Sequence, residues 1–485
     1  MSYLSIRFAT FVILTLCVYY AVPIKKRWTV LLAGSILFYL SYPNGSIFFF
    51  LYTAGITYLA GRWMEKYPDW KKDILLLGIL VNAVVWFVIK DYNWAAGLLN
   101  YFVDAVRMPT IQNMIVPVGI SYYMLQAIGY LADVYHGKPA EHNFFRYALF
   151  LGWFPAIVQG PISRYDQLAP QLMQEHRFDF DVFRSELLLI LYGIIKKMVI
   201  ADNIAMIANF CFRNADTLEG FSLYIGAVAY SIQLYMDFSG CVDICRGVSG
   251  LFGIHLQQNF DAPYFAQSIK EFWAKWHISL SSWLKDYIYI PLGGNKKGKV
   301  RKYWNIVIVF LVSAVWHGAG LSFLVWGILH AVYQIVGEVT LPLRKKVKQL
   351  IGVQEGSLSE KIYKTVITFH LVTFAWIFFR ASSLMGAFAY IQNMFSRFNL
   401  WVLFDGSLYT YGVSRNLLNL VMWNLIIVLM VDFAHRKKKC GLRQSILSLH
   451  IVQRWIVYFV LIYDVLICGA YGVGVDPSAF LYGGF

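Results

Sequence analysis

From Tyr303 to Gly337 the chain carries only two ionisable side chains other than tyrosine, His317 and His330. Basic runs bound this stretch, Lys296-Lys297-Gly298-Lys299-Val300-Arg301-Lys302 before it and Arg344-Lys345-Lys346 after it. A segment so poor in charge belongs in hydrocarbon, where every backbone polar group must be satisfied internally and helix is the simple solution. Gly318 and Gly320 interrupt the run midway, so the pattern predicts a hairpin of two apolar legs with His317 at its tip. If Lys302 marks the aqueous face, a helix from Tyr303 reaches His317 after about 20 Å, at about 1.5 Å per residue. The hydrocarbon layer is about 30 Å thick, which puts His317 past its middle. An ionisable group at that depth is costly and leans towards a functional role.

The same design recurs along the chain. Hydrophobic residues make up 59% and charged residues 14% of 485, where a soluble chain carries about 25% charged residues. Candidate spans are 4–22, 28–41, 47–60, 74–89, 111–131, 144–159, 199–212, 221–238, 303–317, 321–337, 363–379, 417–433 and 451–472. Several fall short of the roughly 20 residues that a perpendicular helix needs, which suggests re-entrant packing. The predicted class is all-α: a polytopic integral membrane helical bundle, one domain over residues 1–485, with short re-entrant and in-plane helices around a central funnel.

Charge sets the expected sidedness. The net charge of +15 sits in short loops, a positive-inside pattern rather than a nucleic-acid footprint. Loops 25–27, 62–72, 296–302, 344–348 and 436–439 are expected in the cytoplasm, and both termini with the loops near Asn44, Asn100 and Asn399 outside. Residues 144–195 are expected to enter and leave on the cytoplasmic side. The first apolar stretch lacks a strong basic leader and is followed by Lys25-Lys26-Arg27, which is unlike a cleavable signal. Residues 239–302 are expected to form in-plane helices without a span, and 344–361 a linker. Cys17, Cys211, Cys241, Cys245, Cys468 and Cys440 are scattered, which makes a poor metal site, and no metal is expected.

Two motifs then carry a resemblance. Trp276-His277-Ile278-Ser279-Leu280-Ser281, with Trp316-His317-Gly318, resembles the signature of the membrane-bound O-acyltransferase family. Tyr289-Ile290-Pro291-Leu292-Gly293-Gly294-Asn295 is similar to the bacterial alginate O-acetylase-like branch. Further matching pieces are Pro117-Val118-Gly119-Ile120-Ser121, Gln159-Gly160-Pro161-Ile162-Ser163-Arg164-Tyr165, Lys196-Lys197 with Asp202, and Tyr235-Met236-Asp237-Phe238-Ser239-Gly240. The likeness covers about residues 110–335. Ala274-Lys275 departs from a commonly doubly basic pair, and Phe480-Leu481-Tyr482-Gly483-Gly484-Phe485 from the family's aromatic ending. The resemblance implies that His317 is the catalytic histidine and His277 its companion. It also implies a bacterial cytoplasmic membrane and an extracytoplasmic acceptor polysaccharide, reached directly or through an SGNH-type acetyltransferase partner with its own serine.

The chemistry suits the residue type. Acyl transfer to a hydroxyl needs a base for the hydroxyl proton, and histidine is the usual one. Apolar burial is expected to keep His317 neutral. The expected co-substrate is a cytoplasmic acyl thioester, acetyl-CoA, with no permanently bound cofactor. His277 can position the thioester, polarise its carbonyl or relay a proton. Lys296, Lys297, Lys299 and Arg301 are weak candidates for attracting coenzyme A phosphates. His330 is expected to be a satisfied bundle residue, and Asp237, Asp243 and Asp286 structural acceptors. Gly293 to Lys299 has the spacing of a phosphate-binding loop, but Val300 stands where Ser or Thr would hold magnesium. Two rival readings stay open: a D-alanyl transferase using a carrier-protein thioester, and a transporter of lipid-linked sugar. The latter predicts paired midplane charges and repeat symmetry, neither of which is evident.

Overall fold

The computed structural model describes every residue except 43–44, 104–106, 113–115, 397, 439–441 and 472–485, and no side chain at 435–438 or 442. Asn44, Cys440, the side chains of the basic run 436–439 and the Phe480 to Phe485 ending therefore lie outside the described residues.

The described chain is helical apart from loops and a single β-bridge between Phe260 and Trp276. Five helices are long and apolar enough to cross a membrane: Pro68–Lys90, Leu321–Val339, Leu358–Arg380, Arg415–Ala434 and Ile451–Cys468. Ile6–Ala21 is a shorter apolar helix. Ile451–Cys468 buries only 6% of its apolar window within the protein, which suits a helix solvated by lipid.

The described residues fall into two compact units. One comprises Met1–Gly193 and Cys241–Gln257; the other comprises Ile194–Gly240 and the chain from Gln258 onward. In the first, the returning segment is tied in by hydrogen bonds. Tyr20 Oη donates to the Leu251 carbonyl at 2.8 Å, and the Trp153 indole N–H donates to Ser249 Oγ at 2.9 Å.

Several sequence-based boundaries are corrected. The span expected at 221–238 continues into the following segment as one 32-residue helix, Gly220–Leu251. Its glycines permit close packing rather than ending the helix. A Cβ at Gly247 would lie 2.9 Å from the Glu186 carbonyl oxygen, and one at Gly250 would lie 2.6 Å from the Glu186 carboxyl carbon. The segment expected at 111–131 begins its helix only at Ile120, because Pro117 and the left-handed Gly119 (φ 74°) precede it. The segment at 144–159 is helical only over Phe144–Gly152, since Pro155 disfavours helix in the residue before it. The run at 199–212 opens inside a π-helical turn, Ile195–Ala201, and continues as the helix Asp202–Arg213. The expected linker 344–361 contains most of helix Leu341–Leu350, and Lys348 pairs with Glu360 of the next helix. Tyr92–Phe102 is a helix that apolar periodicity did not pick out.

Candidate active site

All the side chains of the candidate site lie in the second unit. Helices Gly298–His317 and Leu321–Val339 form the predicted hairpin. Their approach depends on Gly327, where a Cβ would come 2.7 Å from the Phe310 carbonyl oxygen. Lys302 Nζ donates to Glu338 Oε1 at 2.6 Å and ties the open ends together. His317 is the last residue of the first leg, and Gly318 follows in extended geometry (φ 174°). A Cβ on Gly318 would meet the Phe323 ring at 2.7 Å, so the tip is closed by a side chain seated where only glycine leaves room.

Aromatic rings enclose the His317 imidazole. Ring centroids of Trp316, Trp326 and Phe379 lie 4.8, 5.2 and 5.3 Å away. His317 is 2% exposed and His277 is 1% exposed. Solvent therefore does not reach either ring, and the central funnel expected from the sequence is not open at these two histidines.

His277 is built differently. It stands between two seven-residue helices, Ile269–Lys275 and Ile278–Leu284, in left-handed backbone geometry (φ 45°, ψ 54°). Among the described residues only Ala262 is another non-glycine of this kind. Such a conformation costs energy and persists only where neighbours impose it. Here Asn259 imposes it. The Ile278 N–H donates to the Asn259 carbonyl at 3.0 Å, and the Ser279 N–H donates to Asn259 Oδ1 at 2.8 Å. The Phe260–Trp276 bridge and the Asp261 N–H to Lys275 carbonyl bond (3.0 Å) extend the clasp.

The His277 ring meets Phe238 at 4.8 Å and Trp316 at 6.0 Å. His277 and His317 thus contact the same indole. Neither nitrogen of His277 has a hydrogen-bond partner among the described residues, and the same holds for Asn259 Nδ2 and Ser313 Oγ. Burial pushes the His277 pKa down to about 3, so the ring is neutral and offers one donor and one acceptor. Buried polar groups are normally paired, so the two unclaimed nitrogens of the His277 ring mark it as a candidate for ligand contact.

A buried ionic trio joins the π-helical turn Ile195–Ala201, helix Asp202–Arg213 and helix Gly220–Leu251. Lys197 Nζ donates to Asp202 Oδ1 at 2.6 Å and lies 2.7 Å from Asp237 Oδ1. Asp237 directly precedes Phe238, which touches His277. Asp237, expected from the sequence to be a structural acceptor, is an ion-pair partner of Lys197. Asp243 accepts from Arg246 at 3.4 Å, and Asp286 lies in the π-helical turn Lys285–Tyr289. Lys296, Lys297, Lys299 and Arg301 are exposed at the far end of the leg, roughly 25 Å from His317 at about 1.5 Å per residue. The structure does not bring them to either histidine. The glycine turn before them follows a π-helical turn rather than a strand, in keeping with the rejection of a nucleotide-binding loop.

The profile of the membrane-bound O-acyltransferase family matches residues 35–379, a stretch that contains both histidines. The chain belongs to the membrane-bound O-acyltransferase family. Among its relatives, a protein described as probable alginate O-acetylase AlgI of Pseudomonas aeruginosa is 34% identical over 399 residues, covering 79% of this chain and 72% of that one. The peptidoglycan O-acetyltransferase of Helicobacter pylori is 33% identical, covering 67% of this chain and 65% of that one. The teichoic acid D-alanyltransferase of Bacillus subtilis is 29% identical, covering 55% and 69%. This multi-pass membrane protein is accordingly an O-acyltransferase, and the transporter reading gives way. Sequence reasoning missed the role of Asn259 and the enclosing rings of Trp326 and Phe379. Asn259 lies within the stretch 239–302, and its pairing with Ile278 and Ser279 spans a loop and carries no short-range signal.

Proposed function

We propose that this O-acyltransferase moves an acetyl group from cytoplasmic acetyl-CoA to hydroxyls of an extracytoplasmic polysaccharide. Transfer runs directly or through a separate extracytoplasmic SGNH-type acetyltransferase partner. The 485 residues act as one enzyme in the bacterial cytoplasmic membrane, with both termini outside. The observation that carries this reading is the His317 imidazole at the tip of a helical hairpin, sharing an indole with a second, unclaimed imidazole.

His317 accepts the proton of the acceptor hydroxyl as its oxygen attacks the thioester carbonyl carbon. A C–O bond forms and the carbonyl π pair moves onto oxygen. Collapse of this intermediate breaks the C–S bond. The leaving thiolate takes the proton from the His317 imidazolium, leaving an ester, free thiol and neutral His317. His277 supplies one donor and one acceptor to hold the reactants. The exposed Lys296, Lys297, Lys299 and Arg301 draw the anionic donor to the membrane surface.

Replacing His317 by Ala should lower acetyl transfer by about 10²–10⁴-fold, the usual span for a general base. Surface O-acetyl groups are the readout, and unchanged acetylation at normal expression refutes the assignment. D-alanyl transfer remains the second reading because of the teichoic acid relative, whose match covers less of the chain than that of the acetylase. Labelled acetyl-CoA supplied to membranes decides between them: label enters polymer only if acetyl is the group moved.

A further inference from the structure

His330 is the deep histidine that this chemistry leaves without a task. It lies four residues after Trp326 on helix Leu321–Val339, and therefore on the same face. The Trp273 indole N–H donates to His330 Nδ1 at 3.2 Å. An indole nitrogen only donates, so His330 Nδ1 carries no proton and the neutral ring holds its proton at Nε2. Among the described residues His330 Nε2 has no partner, and neither has the Trp326 indole nitrogen. Both side chains are fully buried. Their rings are in contact at 5.2 Å, and the same Trp326 indole meets His317 at 5.2 Å with planes at 88°. Two buried N–H donors without acceptors, on one helix face and adjoining the base, are an arrangement that packing alone disfavours.

We propose that Trp326 Nε1–H and His330 Nε2–H receive the carbonyl oxygen of the acyl thioester. The inference rests on the assignment of His317 given above. As the acceptor oxygen bonds to the carbonyl carbon, the π pair passes to the carbonyl oxygen, and these neutral donors stabilise that charge without transferring a proton. When the C–S bond breaks the pair returns, the double bond reforms and the donors release the product ester.

Three substitutions separate this role from aromatic packing. His330→Phe keeps an aromatic ring and removes the donor. His330→Gln removes the ring and keeps an N–H close to the Nε2 position. Trp326→Phe keeps an aromatic ring and removes the second donor. Full-length variants are assayed in membranes of the producing cell with labelled acetyl-CoA, together with their melting temperatures. His330→Phe and Trp326→Phe should each lower kcat by about 10²–10³-fold with little change in KM, while His330→Gln retains most of kcat. Normal turnover by both phenylalanine variants overturns the proposal, as does a folded His330→Gln as inactive as His330→Phe. His317→Ala runs alongside. If it stays active, the base assignment falls; if it is dead while the phenylalanine variants work normally, only the donor pair falls.

Discussion

The hairpin that ends in His317 and the clasp that holds His277 reach one indole ring by opposite means. The hairpin is regular structure brought to a stop: two apolar legs, a glycine interruption, and a histidine at the final helical position. The clasp is irregular backbone, held by Asn259 from across a loop, with a histidine forced into a left-handed conformation. The first is specified by neighbours in sequence and the second by neighbours in space. One fold can thus give one imidazole a rigid scaffold and the other a setting that depends on a few hydrogen bonds.

This difference can be broken at three points. Gly327→Ala attacks the hairpin. The new Cβ meets backbone at the Phe310 carbonyl, which cannot rotate away, and the loss should approach the upper end of overpacking, about 3 kcal/mol. Thermal unfolding in detergent reads it, and an unchanged midpoint means the legs are looser than described. Asn259→Ala attacks the clasp. It leaves the buried Ser279 N–H without its acceptor, at about 2 kcal/mol. Thermal unfolding reads this loss too, and an unchanged midpoint means that the Ser279 N–H finds another acceptor. The smallest effect is the sharpest. His277→Gly should unfold at a higher temperature than His277→Ala by about 1 kcal/mol, because only glycine occupies positive φ freely. The order reverses if the backbone at His277 relaxes to ordinary geometry. Both variants should lose acyl transfer alike.

The same contrast explains what the sequence made legible. Charge depletion between two basic runs was enough for the hairpin, its tip and the position of His317. A motif resemblance drew attention to His277, but nothing local announced its strained backbone or Asn259 beneath it. Glycine carries two different meanings in this chain. Gly318 does mark the end of a helix, whereas Gly247 and Gly250 mark close packing against Glu186 within a helix that continues to Leu251. His330 was expected to be satisfied, and it is at Nδ1 only. Lys197, Asp202 and Asp237 all fall in pieces that carried the resemblance, but their convergence involves a π-helical turn that no propensity signals.

The interleaving of the two units has a consequence for biosynthesis. A ribosome that has delivered the first 193 residues has not yet made Ser249, Leu251 or Phe252, to which Trp153, Tyr20 and Tyr19 are hydrogen-bonded. Those three donors must wait through the synthesis of the Ile194–Gly240 segment, which belongs to the other unit. A nascent chain arrested before residue 249 should therefore carry an N-terminal part that is inserted but unfinished, open to protease or chaperone until the returning helix arrives.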